Sequence, residues 1–182
     1  MVGYLTSRTL IEDGGVWHRR GEPGEDIRAE TELGIELGRD LGAGATGTEA
    51  EAAIAGICVA LEMVDVARPA GELGAVMDGN VFHRAVVFGP TRTLRREDLG
   101  VASLRLDETI HAAGEPMPEP SWAVRTVADT LGEFGETLVV GDRVLSGSFV
   151  HERLDGARQA IAAVEGLGRV SLSVAEQTPA AA

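Results

Sequence analysis

Glu30, Glu32 and Glu62 are the side chains whose types and spacing point most directly to chemistry. The first two flank a single residue in RAETELGIEL (28–37), and the third stands inside the apolar run ALEMV (60–64). A carboxylate among Ala60, Leu61, Met63 and Val64 needs a partner if buried, because an isolated charge is costly in an apolar interior. Two unit charges about 4 Å apart repel by roughly 4 kcal/mol at an effective dielectric near 20, so three converging carboxylates either take up protons or hold a cation. All-oxygen ligands favour Mg²⁺, Mn²⁺ or Ca²⁺ over zinc, and open positions on such an ion polarise a carbonyl or enolate oxygen. The plainer reading of Glu-x-Glu on a strand is a solvated face; Glu62 in its apolar run is what weighs against it. His83 and Arg84 interrupt VFHRAVVF (81–88) with a proton carrier for neutral pH and a clamp for carboxylates. Adjacent residues of a regular strand point to opposite faces, so only one of the two faces a pocket. His83 is assigned inward, since an imidazole sheds its proton on burial more readily than a guanidinium does.

The elements that must position these groups follow from periodicity. Glu30, Glu32 and Glu36 alternate with Leu33, Ile35 and Leu37, which predicts a strand over about 27–37 with Glu30 and Glu32 on one face. Thr48 and Glu51 form a capping-box pattern ahead of Ile54, Ile57, Cys58 and Leu61 at helical spacing. A helix is therefore predicted from Thr48, running into ALEMV and closed by Arg68-Pro69. Gly14 to Gly24 reads as an exposed, turn-rich loop. VFHRAVVF reads as a buried strand ended by Gly89-Pro90, and residues 101–114 alternate again. A second helix is expected from about Ser121 to Phe134, with Val124, Val127, Leu131 and Phe134 inward and Gly135 at its end. VVGDRVLSGSFV (139–150) and AIAAVEGLGRVSLSV (160–174) add further strands. The sum is an α+β fold of about six to eight strands with two surface helices. A single domain over 1–175 and a disordered tail over 176–182 are expected.

Composition narrows the function classes. With 16 basic against 29 acidic side chains the formal net charge is −13, which opposes nucleic acid and anionic lipid as partners. Every basic residue other than histidine is arginine, so no lysine is available as Schiff base or general base. Cys58, the one cysteine, reads as a small buried hydrophobe in a reducing cytoplasm. No secretion signal or membrane span is apparent. No P-loop, dinucleotide fingerprint, G-x-S-x-G elbow or Cys/His metal cluster occurs.

AETELGIELGRDL (29–41), ALEMVD (60–65), MDGNVFHRAVVFGP (77–90), VADTLGEFGETLVVGDRVLSGSF (127–149) and GLGRVSLSV (166–174) resemble, in order and spacing, successive blocks of one family. It is the 2-keto-4-pentenoate hydratase and 4-oxalocrotonate decarboxylase branch of the fumarylacetoacetate hydrolase superfamily. The resemblance implies a mixed β-roll and carries the role of Mg²⁺ or Mn²⁺ ligand onto Glu30, Glu32 and Glu62. It implies substrate contacts at Asp78, Asn80, Ser146 and Ser148, although serines beside glycine are more often plain turn residues. His83 and Arg84 replace small side chains of the family, which makes His83 the candidate proton carrier and Arg84 a candidate substrate clamp. GYLTSRTLIEDGG (3–15) resembles the segment just after the family's G-x-K block, so the usual lysine and acidic proton carriers have no counterpart here.

The expected function is a divalent-metal lyase or isomerase, acting on a small enolisable 2-oxo acid or β-dicarbonyl compound. A different class is a repurposed, metal-independent cyclase or isomerase of specialised metabolism acting on a polyketide-like substrate. A third is a non-catalytic partner subunit. The family also implies a homo-oligomer, with a dimer expected.

Overall fold

The computed structural model describes residues 2–21, 23–67, 80–93, 96–114, 117 and 119–176. The strands are β1 (Leu10–Ile11), β2 (Val16–Arg19), β3 (Ile27–Leu37), β4 (Ile54–Asp65), β5 (His83–Phe88), β6 (Ala102–Leu106), β7 (Thr109–Ala112), β8 (Arg143–Leu145), β9 (Val150–Arg153), β10 (Gln159–Val164) and β11 (Gly168–Glu176). The helices are α1 (Gly47–Ala53) and α2 (Pro120–Gly132). One sheet runs β1-β5-β4-β3-β8 with β9 also on β3, and the other runs β2-β11-β10-β6-β7. β1 on β5 and β2 on β11 are parallel, and the remaining pairs are antiparallel.

The core lies between the sheets, and period-two alternation decides what enters it. Leu33, Ile35 and Leu37 of β3 and Ile57, Val59, Leu61 and Met63 of β4 meet Leu104, Ala162, Val164, Val170 and Leu172 from the second sheet. Side chains of opposite parity, Glu30, Glu32 and Glu62 among them, leave from the other face of the first sheet. That face is covered too, since β3 is buried along nearly its whole length. Among the described residues no helix is long and apolar enough to cross a membrane.

Several expectations are corrected. The cap of α1 is Thr46 with Glu49, not Thr48 with Glu51, and the helix stops at Ala53. Ile54, Ile57, Cys58 and Leu61 belong to a strand, so Glu62 is delivered by β4 and not by the end of a helix. A short apolar run fits either period, and pairing along the length of β3 selects the extended one. The loop from Gly14 to Gly24 contains β2, held on β11. Phe134 lies beyond α2 and is 76% exposed, whereas Val124 is fully buried as predicted. Gly135, at φ +76°, follows the end of that helix. Among the described residues there are eleven strands against the expected six to eight, because several span only two to four residues. Cys58 is buried, and desolvation pushes its thiol up to about 11, consistent with an inert side chain. Arg68-Pro69 and residues 177–182 lie outside the described residues; Glu176 ends β11 instead of opening a tail.

Candidate metal centre

Glu30 and Glu32 share a face because β3 is regular there, and antiparallel register sets Glu62 of β4 directly opposite Glu30. One oxygen from each of the three carboxylates lies within 4.8 Å of the others. Glu30 is 9% and Glu32 2% exposed, and the Glu62 side chain is 12% exposed. Glu36, next on the same face, instead accepts from Thr91 Oγ1 at 2.8 Å and belongs to a separate surface contact.

Each carboxylate is held by one donor from outside the trio. Gly147 N donates to Glu32 Oε2 at 3.0 Å. It can do so because the chain leaves β3 between β8 and β9, with Gly147 at φ +90°, a conformation glycine adopts without strain. His151, paired with Glu30 across the β3–β9 ladder, hydrogen-bonds Glu30 Oε1 through Nδ1. Its Nε2 faces Arg28 Nη1 at 3.0 Å. A guanidinium only donates, so Nε2 accepts and Nδ1 carries the proton given to Glu30. His83 Nδ1 lies 2.6 Å from Glu62 Oε1, and its Nε2 lies 2.9 Å from Thr9 Oγ1. Thr9 Oγ1 also lies 3.0 Å from Thr6 O, and its single hydroxyl proton can serve Thr6 O or His83 Nε2. An ionised carboxylate only accepts, so Nδ1 carries the proton given to Glu62.

His83 reaches Glu62 through an irregularity. Glu62 pairs with Val86 and Met63 with Ala85, but Val64 pairs with His83, leaving Arg84 as an unpaired bulge residue. In a regular strand His83 would share the core-facing parity of Ala85 and Val87; the extra residue turns it to the face of Glu62. The expectation that only one of His83 and Arg84 faces a pocket is thereby overturned, since both line the same cavity. His83 is inward as assigned, at 7% exposure.

The other candidates are placed elsewhere. Asn80 is engaged by the amino-terminal segment, accepting from Tyr4 N at 2.8 Å and donating to Tyr4 O at 2.7 Å. Ser146 Oγ accepts from Leu33 N at 2.9 Å and donates to Gly147 O at 3.0 Å, which makes it a brace for the Gly147 turn. Ser148 Oγ donates to Val150 O at 3.0 Å. Asp78 lies outside the described residues. Sequence reasoning passed over His151, Gly147 and Thr9, whose roles depend on strand pairing and chain reversals that no local spacing encodes.

Electrostatics agree with a cation site. Burial, reinforced by the charges of Glu62 and Glu30, holds the Glu32 carboxyl well above the usual range, while the Gly147 amide opposes this. Burial also raises Glu30, against the hydrogen bond from His151. The donor set fits a hard divalent ion: three oxygens at close quarters leave positions open for substrate oxygens. A carboxyl raised in the folded state stabilises the protein fully below its unfolded value, near 4.5. That contribution is lost as pH rises through the raised folded value. The metal-free protein is therefore expected to melt at progressively lower temperature as pH rises above about 5, with saturating Mn²⁺ reversing the loss. Thermal scans in EDTA that stay flat or rise over that window would contradict this.

Comparison with known proteins follows the same lines. A family model described as "Fumarylacetoacetate (FAA) hydrolase C-terminal" matches residues 1–174. The fold superimposes on 4-oxalocrotonate decarboxylase from Pseudomonas putida G7, complexed with magnesium and adipate (TM-score 0.82, 18% identity, covering 95% of this chain and 69% of that one). It also superimposes on maleylpyruvate hydrolase from Sphingobium sp. SYK-6 in complex with manganese(II) ion and pyruvate (TM-score 0.70, 17% identity, 93% of this chain and 62% of that one). A third is 5-carboxymethyl-2-hydroxymuconate delta-isomerase from Mycobacterium smegmatis (TM-score 0.70, 16% identity, 93% and 66%). At these identities the likeness is one of fold, and this chain spans about two thirds of each relative.

Proposed function

The chain belongs to the fumarylacetoacetate hydrolase family, and from that premise we propose a divalent-metal-dependent lyase or isomerase acting on an enolisable 2-oxo acid or related dicarbonyl compound. The observation that carries this reading is the convergence of Glu30, Glu32 and Glu62, largely buried and each steadied by its own donor. When bound, Mg²⁺ or Mn²⁺ supplies Lewis-acid stabilisation of a developing enolate oxygen. Glu30, Glu32 and Glu62 hold the ion, and the His151, Gly147 and His83 contacts orient them. His83 borders the cavity and is the chain's candidate proton carrier for substrate carbon, exchanging through Nε2 once it parts from Thr9 while Nδ1 stays on Glu62. No lysine is required for this arrangement, in keeping with a chain that contains none.

The direct test is hydrogen exchange at C3 of 2-oxobutanoate in D₂O, followed by proton NMR. Mn²⁺-dependent exchange is expected, abolished by Glu32→Gln and slowed about 10²-fold or more by His83→Gln. Calorimetric Mn²⁺ binding without any exchange across a panel of 2-oxo acids would refute the proposed chemistry. Absence of Mn²⁺ binding would refute the metal centre itself.

A further inference from the structure

A cavity of about 590 Å³ opens between the two sheets where β1 and β2 lie at their edges, within the roughly 300–1,000 Å³ typical of small-molecule sites. None of the trio lines it; the link between the two is His83, which forms part of the cavity wall and hydrogen-bonds Glu62. We propose that this cavity binds a small carboxylate with an apolar body, clamped by Arg84 and packed against Trp17, independently of the metal centre.

Three features support this assignment. Arg84 is the bulge residue of β5, and a bulge re-aims a side chain that a regular strand would send to the other face. Its guanidinium is anchored, with Nη2 donating to Asp65 Oδ2 at 3.3 Å and Nη1 to His83 O at 3.0 Å. A guanidinium has five N–H donors in a planar fork, so this anchoring leaves donors for a guest carboxylate. The local charge also favours an anion. Arg8, Arg20 and Arg84 line the cavity against Glu25 and Asp65, in a chain whose formal net charge is −13. Glu25 is already held by Arg19 Nε at 2.9 Å, from outside the lining. Asp65 Oδ1 accepts from the amides of Asp26 at 3.2 Å and Ala67 at 3.1 Å while its other oxygen holds Arg84, so both acids are already engaged. Finally, Trp17, Ile11 and Ile27 supply apolar wall, which rewards an apolar body and gives a strongly hydrated inorganic anion nothing in return.

Trp17 makes the test site-specific, because the chain has two tryptophans and the other, Trp122, is 60% exposed on α2. In a Trp122→Phe protein kept in EDTA, phenylacetate is expected to change Trp17 fluorescence saturably and to bind at least about tenfold more tightly than phenylacetamide. Arg84→Gln should erase that preference. Arg8→Gln, which removes a cation without an ion pair among the described residues, should weaken the acid severalfold and leave the amide unchanged. Glu32→Gln should leave both affinities as they were, so the outcome is separable from that of the metal-centre reading. Equal affinity for acid and amide, or no saturable response to the acid, would overturn the proposal. So would acid binding that is lost in Glu32→Gln but kept in Arg84→Gln, since that pattern puts the carboxylate at the trio.

Discussion

In excess EDTA at about pH 8, Glu32→Gln is expected to melt about 2–8 °C above the wild type and to gain nothing from Mn²⁺. Both halves follow from the packing of Glu32, which is 2% exposed and lies in a trio whose oxygens are within 4.8 Å of one another. Without a cation, the folded wild type must either keep a proton at a pH that disfavours it or bear like charges in a poorly solvated place, at a cost of roughly 1–3 kcal/mol. Glutamine removes the charge, keeps the volume, and retains an oxygen to accept from Gly147 N. Mn²⁺ at a hundred times its dissociation constant stabilises a competent site by about 2.7 kcal/mol, and that increment disappears when a ligand is lost. Differential scanning calorimetry of both proteins, with and without Mn²⁺, reads the two effects together. A variant less stable than wild type in EDTA, or one that retains the Mn²⁺ shift, would remove the physical basis of the metal centre.

The second large effect is expected at His151. His151→Phe should weaken Mn²⁺ binding about 10- to 100-fold, as is typical when a partner that orients a metal ligand is removed. His151→Asn should restore most of the loss, since its amide N–H stands near the position of Nδ1 and can donate to Glu30 in the same sense. Titration calorimetry gives the affinities, and thermal scans in EDTA show whether either variant is merely misfolded. Equal weakening by Phe and Asn, with both folded, would mean that ring packing and not the hydrogen bond to Glu30 matters.

Individual residues show how far local pattern reaches. Glu30 and Glu32 were assignable to one face because alternation along a single strand needs only that strand. Glu62 was noticed because a charge inside an apolar run needs explanation, yet its element was misassigned: Ile54, Ile57, Cys58 and Leu61 satisfy helical spacing, and only pairing against β3 makes the run extended. Asn80 and Ser146 were candidates for substrate contact by resemblance, and both are taken up by backbone groups distant in sequence. His83 was assigned inward on the cost of burying a guanidinium. The structure places it there through a bulge, which simultaneously admits Arg84 to the cavity.

By itself, then, the sequence determined the quantities set within one segment: which residues alternate, where charge interrupts apolar runs, and the acidic balance that disfavours polyanions. Its ordered blocks were enough for family membership and the mixed-sheet fold. Tertiary structure alone decided the register that puts Glu62 opposite Glu30, the ladder that brings His151 to Glu30, and the turn that aims Gly147 N at Glu32. The physical reason is that strand register, bulges and chain reversals are chosen by the burial of both sheets at once. Residues far apart in the chain contribute to that free energy jointly, and no window of local sequence contains it.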